Sequence, residues 1–173
     1  MRNGEARTDR NALVLAGLRI AVGCVFLIFG QNKVFGTQFT LQGGFAFFIH
    51  RWVQSGAAYP FFVPVLQKIA LPHPLPVAFL VAYGELAIGL ALVSGVWLRI
   101  ASAFGLVYML ALLFSSNYPG AHSSVSDYLG VALDHAVLAI CFVCFLIARP
   151  EERFSAMRIL RRWTGRTSPD PAV

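Results

Sequence analysis

The sequence predicts an all-α integral membrane protein whose main body is a four-transmembrane-helix bundle. Its 173 residues are 57% hydrophobic and 13% charged, whereas soluble domains carry roughly 25% charged residues. A helix needs about 20 apolar residues to cross a bilayer. Four runs fit that length, and we number them as spans one to four: Ala12–Gly30, Pro76–Trp97, Ile100–Asn117 and Tyr128–Ala148.

The first run resembles the apolar part of a signal peptide because three arginines precede it. Arg19 interrupts the run, however, and three more spans follow it. No small-residue cleavage site is evident after Gly30. We therefore interpret span one as a retained helix.

The distribution of basic residues predicts the orientation in the membrane. Of the 14 Lys and Arg residues, ten lie in the amino-terminal tail, the turn after span two and the carboxy-terminal tail. Three lie on the opposite side: Lys33, Arg51 and Lys68. The positive-inside rule then predicts cytoplasmic termini for a multi-pass protein of the cell's inner (plasma) membrane. The net charge of +6 is explained by topology, so we expect no nucleic-acid partner.

The connection between spans one and two, residues 31–75, is too long for a plain turn. Apolar stretches around Phe45–Ile49 and Phe61–Leu66 are too short to cross a bilayer, and Gly and Pro residues separate them. This pattern predicts short outer-surface helices that roof a lipid-accessible pocket. The alternative is a surface helix that only fills space.

The carboxy-terminal segment has a different pattern. After Pro150, the residues Phe154, Met157 and Leu160 recur at helical spacing with arginines between them. This is typical of an amphipathic helix resting on anionic lipid headgroups. The sequence thus divides into a transmembrane domain at 1–149 and a cytoplasmic amphipathic helix and tail at 150–173.

Glu85 is the only charged residue in span two, and a charge at that depth marks a functional candidate. Arg19 is ~11 Å deep from one side and Glu85 ~14 Å deep from the other, at 1.5 Å per residue. In a core of ~30 Å these levels differ by only about 5 Å. We therefore predict an Arg19–Glu85 ion pair, acting either as a structural clamp or as a proton or substrate site.

A second polar group gathers near the outer ends of the spans. Span one ends at Gln31 and Lys33, span three ends at Asn117, and His122 lies in the following loop. Asp134 and His135 lie about two turns into span four. A histidine exchanges protons near neutral pH, and an aspartate can orient it. Ordinary interfacial polarity, with Lys33 snorkelling to the surface, is the alternative.

Two segments of the chain resemble the DoxX family. Arg19 precedes a helix ending in Gly30–Gly36 (GQNKVFG), similar to a Gly-x-x-Lys-φ-φ-Gly type motif. Gly84-Glu85 precedes a Gly-rich apolar run and a turn ending in Arg99, similar to the second helix of that family. The likeness covers roughly residues 11–149. The long first connection and Asn117–Gly120 (NYPG) are closer to the DoxD-type small membrane subunit of thiosulfate:quinone oxidoreductase.

We predict a membrane redox subunit that binds quinone near the outer leaflet and is coupled to oxidation of a small donor, with a sulfur compound as one candidate. The resemblance implies a four-helix membrane bundle that works near quinone, but it does not transfer thiosulfate as the substrate. It further implies membrane lipids and a partner subunit, or a larger membrane complex, as partners, with a homo-oligomer as another option. The sequence carries no haem, flavin or metal motif. The alternative function is a non-catalytic accessory or scaffold subunit of a respiratory or other electron-transfer complex.

The candidate residues fall into two sets. The predicted catalytic set is Glu85, Asp134 and His135. The predicted substrate- or quinone-binding set is Arg19, Gln31, Lys33, Asn117 and His122.

Overall fold

The structure, a computed structural model, describes the backbone of residues 2–148 and the side chains of residues 11–148. The predicted amphipathic helix and tail at 150–173 lie outside the described residues. The helices in chain order are α1 (Arg2–Phe35), α2 (Gly44–Gln54), α3 (Val63–Val65) with a π-helical turn after it (Leu66–Ala70), α4 (Pro74–Ser94), α5 (Leu98–Ser116) and α6 (Val125–Ala148).

Within the described part of the chain, four helices are long and apolar enough to cross a membrane: α4, α5, α6 and the part of α1 from Asn11 to Phe35. The predicted all-α, four-span architecture is confirmed. The main difference in boundaries is at α1, which continues through the polar residues Gln31, Asn32 and Lys33 to Phe35. This extension places Lys33 within the last turn of the helix.

Helices α1 and α4 run antiparallel and approach closely at glycines. A Cβ atom added at Gly30 would lie 2.7 Å from the backbone nitrogen of Leu86. A Cβ added at Gly89 would lie 2.8 Å from the backbone nitrogen of Leu27. Small residues allow such backbone contact between membrane helices. The two contacts fix the register, with Gly30 level with Leu86.

The centre of the bundle is an apolar core shared by α1, α4, α5 and α6. Its larger buried side chains are Val22, Phe26, Ile88, Leu92, Leu98, Met109, Phe142 and Phe145. Aromatic rings meet edge to face there, as Phe26 and Phe142 do with centroids 5.3 Å apart. This core holds the four long helices in one bundle.

Residues 36–73 form a cap at the end of the bundle where α1 ends and α6 begins; we call this the loop end. Phe45, Ile49 and Leu66 of the cap are buried with Ala78 of α4 in a second apolar cluster. Backbone hydrogen bonds also tie the cap to α5. Tyr59 N donates to the Phe114 carbonyl at 2.9 Å. Tyr118 N, just after α5, donates to the Ala57 carbonyl of the cap at 2.8 Å.

Candidate functional site

A cavity of about 600 Å³ lies at the loop end, between the four long helices and the cap. Its volume is in the range of small-molecule sites, roughly 300–1,000 Å³. Most of its wall is apolar, and seven phenylalanine and tryptophan side chains contribute to it: Phe26, Phe29, Phe39, Phe45, Phe48, Trp52 and Phe62. Six polar side chains also line it: Lys33, Glu85, Tyr108, Ser115, Asp134 and His135.

Three of these polar residues form a hydrogen-bonded triad around the buried carboxylate of Glu85. Lys33 Nζ and the Tyr108 hydroxyl both donate to Glu85 Oε1. Lys33 Nζ also donates to the Tyr108 hydroxyl at 3.3 Å. The Glu85 side chain is 6% exposed and that of Lys33 is 23% exposed. A charged pair at this depth is stabilised when its remaining hydrogen-bonding capacity is used, and the Tyr108 hydroxyl uses part of it.

The fold explains why Lys33 reaches Glu85. Helical side chains tilt toward the helix amino terminus, so the Lys33 side chain points back toward the level of Gly30. That level is the point of closest approach to α4 and carries the backbone of Glu85 and Leu86. The Lys33 ammonium also lies 5.0 Å from the centre of the Phe39 ring, in cation–π contact.

The predicted Arg19–Glu85 ion pair is wrong. Arg19 lies eleven residues before Gly30 on α1, a separation of about 16 Å along the helix axis, and Gly30 is level with Glu85. The same register puts Arg19 near the turn after α4, where it is buried. The depth estimate failed because α1 extends to Phe35, which brings Lys33, not Arg19, to the level of Glu85.

A second polar group joins the end of α5 to α6. His135 Nδ1 lies 2.7 Å from Asn117 Oδ1 and 3.1 Å from Asp134 Oδ1. Asn117 Nδ2 donates to the Val131 carbonyl and, at 3.3 Å, to Asp134 Oδ1. The Asp134 side chain is 66% exposed and that of His135 is 20% exposed, and both line the cavity.

The structure thus combines two groups of residues that the sequence placed at separate sites. Glu85, Lys33, Asp134 and His135 line one cavity, and Asn117 contacts His135 from behind. The other three predicted binding residues lie outside the cavity lining: Arg19 at the opposite end, Gln31 on the exposed face of α1, and His122 in the exposed loop before α6.

Sequence reasoning missed Tyr108, which completes the triad. Tyrosine is enriched at membrane interfaces, yet Tyr108 lies near the middle of α5, where its hydroxyl cannot reach the headgroups. A phenol at that depth needs a buried partner. This position was the available signal that Tyr108 belongs with Glu85.

Replacing Tyr108 with phenylalanine should destabilise the protein by about 1.5 kcal/mol, the lower end of the range for a hydrogen bond to a charged group. The Lys33–Glu85 pair remains, so the bundle should still fold. The free energy of unfolding in mixed micelles, measured by SDS titration with circular dichroism, tests this. Tyr83→Phe is the matched control, because Tyr83 lies exposed on α4. Equal effects of the two changes would contradict the role given to the Tyr108 hydroxyl.

These features define a four-span membrane protein with an apolar cavity whose polar groups come from four helices. A model of the DoxX family matches residues 14–117, more than half of the chain. The chain therefore belongs to the DoxX family, a family of membrane proteins. The match contains the whole Lys33–Glu85–Tyr108 triad and ends at Asn117, before Asp134 and His135. No curated protein and no solved structure matches the chain.

Proposed function

We propose that this DoxX protein is a membrane redox subunit that binds a lipophilic quinone in the loop-end cavity. The observation that carries the proposal is the composition of the cavity wall, which is mostly aromatic and aliphatic but holds the Lys33 ammonium beside a buried carboxylate. An apolar pocket with a few converging polar groups is typical of a small-molecule site.

The cavity residues fit the two parts of such a ligand. Phe29, Phe48 and Ile69 line the cavity and are exposed on the outside of the protein. The cavity therefore opens at an apolar surface that suits an isoprenoid or alkyl tail. The Lys33 ammonium has three N–H donors and uses two of them on Glu85 and Tyr108. Its third N–H is the group that would bind a quinone oxygen.

A bound quinone would supply electron-accepting capacity, and the chain's own residues would bind and orient it. In this proposal Glu85 keeps Lys33 charged and in place, so it is a positioning residue. His135 contacts the ligand from the α6 side. The electrons come from a small donor of the sulfur type, as for DoxD-type subunits, or through a partner subunit. The protein acts in the plasma membrane with both termini cytoplasmic.

Quenching of Trp52 fluorescence provides a direct binding test. Trp52 lines the cavity, whereas Trp97 is exposed on the turn between α4 and α5. Addition of decylubiquinone to the detergent-solubilised protein should quench tryptophan emission saturably. Quenching should saturate equally in Trp97→Phe, while Trp52→Phe should lose the saturable component. Saturable quenching retained in Trp52→Phe would place the quinone elsewhere, and quenching that never saturates would reject the binding function in favour of an accessory subunit.

A further inference from the structure

The partners of Asn117 fix the orientation of its side-chain amide. Asn117 is buried at the end of α5. Its Nδ2 faces the Val131 carbonyl and Asp134 Oδ1, both of which accept hydrogen bonds. The Ser116 hydroxyl lies 2.9 Å from both the Leu112 carbonyl and Asn117 Oδ1, and with a single proton it does not decide the orientation. The amide nitrogen therefore belongs on the Val131 side, and the amide oxygen faces His135.

The position of the Asn117 oxygen determines which nitrogen of His135 carries a proton. His135 Nδ1 has two neighbours, Asn117 Oδ1 at 2.7 Å and Asp134 Oδ1 at 3.1 Å. Both are acceptors, so Nδ1 must donate. In a neutral imidazole the other nitrogen then holds a lone pair.

The lone pair on Nε2 is available to a ligand in the cavity. Among residues 11–148, Nε2 has no hydrogen-bond partner, and it is not among the atoms buried from solvent. His135 is one of the residues that line the cavity. The cavity therefore offers a donor at Lys33 and an acceptor at His135.

We infer that His135 Nε2 accepts a hydrogen bond from a hydroxyl group of the ligand, and that Asn117 is a positioning residue that fixes the His135 tautomer. The inference deepens the proposed function and rests on it, since it states which chemical form the cavity recognises. A hydroquinone or phenol hydroxyl can donate to Nε2. A quinone carbonyl or an ether oxygen has only lone pairs and finds no donor on a neutral His135.

Matched ligands test this preference without any redox reaction. Para-hexylphenol and para-hexylanisole differ by one methyl group that removes the hydroxyl donor. Their dissociation constants are measured by isothermal titration calorimetry on the detergent-solubilised full chain, with heats of partition into empty micelles subtracted. The phenol should bind about fivefold tighter, since one net hydrogen bond is worth about 1 kcal/mol and a tenfold change in affinity corresponds to about 1.4 kcal/mol. His135→Phe should remove the preference, so that the phenol and the anisole bind the variant with equal affinity.

Nitrogen NMR of histidine-labelled protein tests the tautomer directly. The signals absent from His135→Phe should show a protonated Nδ1 and an unprotonated Nε2 in the wild-type protein. In Asn117→Leu they should shift toward a mixture of tautomers, because the nearer acceptor is gone. A protonated Nε2 in the neutral wild-type ring would overturn the inference, and an unchanged tautomer in Asn117→Leu would remove the positioning role.

The calorimetric titrations separate this inference from the proposed function. Equal affinity for phenol and anisole would overturn the role of His135 and leave ligand binding in the cavity intact. Binding of neither compound would reject the cavity as an aromatic-ligand site, and with it both proposals. Phenol preference retained in His135→Phe would assign the recognition of the hydroxyl to another residue.

Discussion

Replacing Lys33 with methionine should destabilise the bundle by about 3 kcal/mol, the cost of leaving one partner of a buried ion pair uncompensated. Glu85 would then keep the Tyr108 hydroxyl as a donor but lose its counter-ion. Its second oxygen, Oε2, is buried without a hydrogen-bond partner among residues 11–148, so no other described side chain replaces Lys33. SDS titration in mixed micelles gives the free energy of unfolding.

A double-mutant cycle separates the ion pair from the packing of the lysine side chain. Lys33→Met combined with Glu85→Gln should be more stable than Lys33→Met alone, because the uncompensated charge is removed and the glutamine oxygen still accepts from Tyr108. Lys68→Met is the matched control, since Lys68 is exposed on the π-helical turn. If Lys33→Met were as stable as Lys68→Met, the pair would have no structural role.

The same triad shows how far the sequence determines the site. Hydropathy alone placed the ends of the four spans within a few residues, because a run of about 20 apolar residues is typical of a membrane-spanning helix. Glu85 was identified for a related reason, as the lone charge in such a run. Its partner Lys33 was not identified, because the pairing depends on the register between α1 and α4.

That register comes from backbone contacts that hydropathy does not encode. Gly30 and Gly89 provide these contacts. Which glycine meets which residue is set by the packing of the whole helix pair. Because Gln31 and Asn32 are polar, the predicted first span also ended before the end of α1. A helix tolerates these residues where one of its faces is exposed. Cross-helix contacts such as Asn117 to His135 depend on the same kind of information.

Replacing Gly30 with alanine should destabilise the protein by about 2 kcal/mol, within the usual range for overpacking. The added methyl group would lie 2.7 Å from the backbone nitrogen of Leu86, and backbone atoms cannot rotate away as side chains do. The helices must therefore separate or shift. Gly17→Ala is the matched control on the same helix, because a Cβ at Gly17 meets nothing within 4 Å; it should be neutral or slightly stabilising.

The glycine contact should also control the electrostatics of the site. If close approach at Gly30 brings Lys33 to Glu85, the coupling energy between these two residues should fall in the Gly30→Ala background and stay unchanged in the Gly17→Ala background. Additivity between distant, independent sites makes this comparison meaningful. A Gly30→Ala protein that is destabilised but keeps the full Lys33–Glu85 coupling would show that the pair adjusts to the helix separation. If Gly30→Ala lowers both the stability and the Lys33–Glu85 coupling energy, the α1–α4 backbone contact positions the ion pair in the cavity wall.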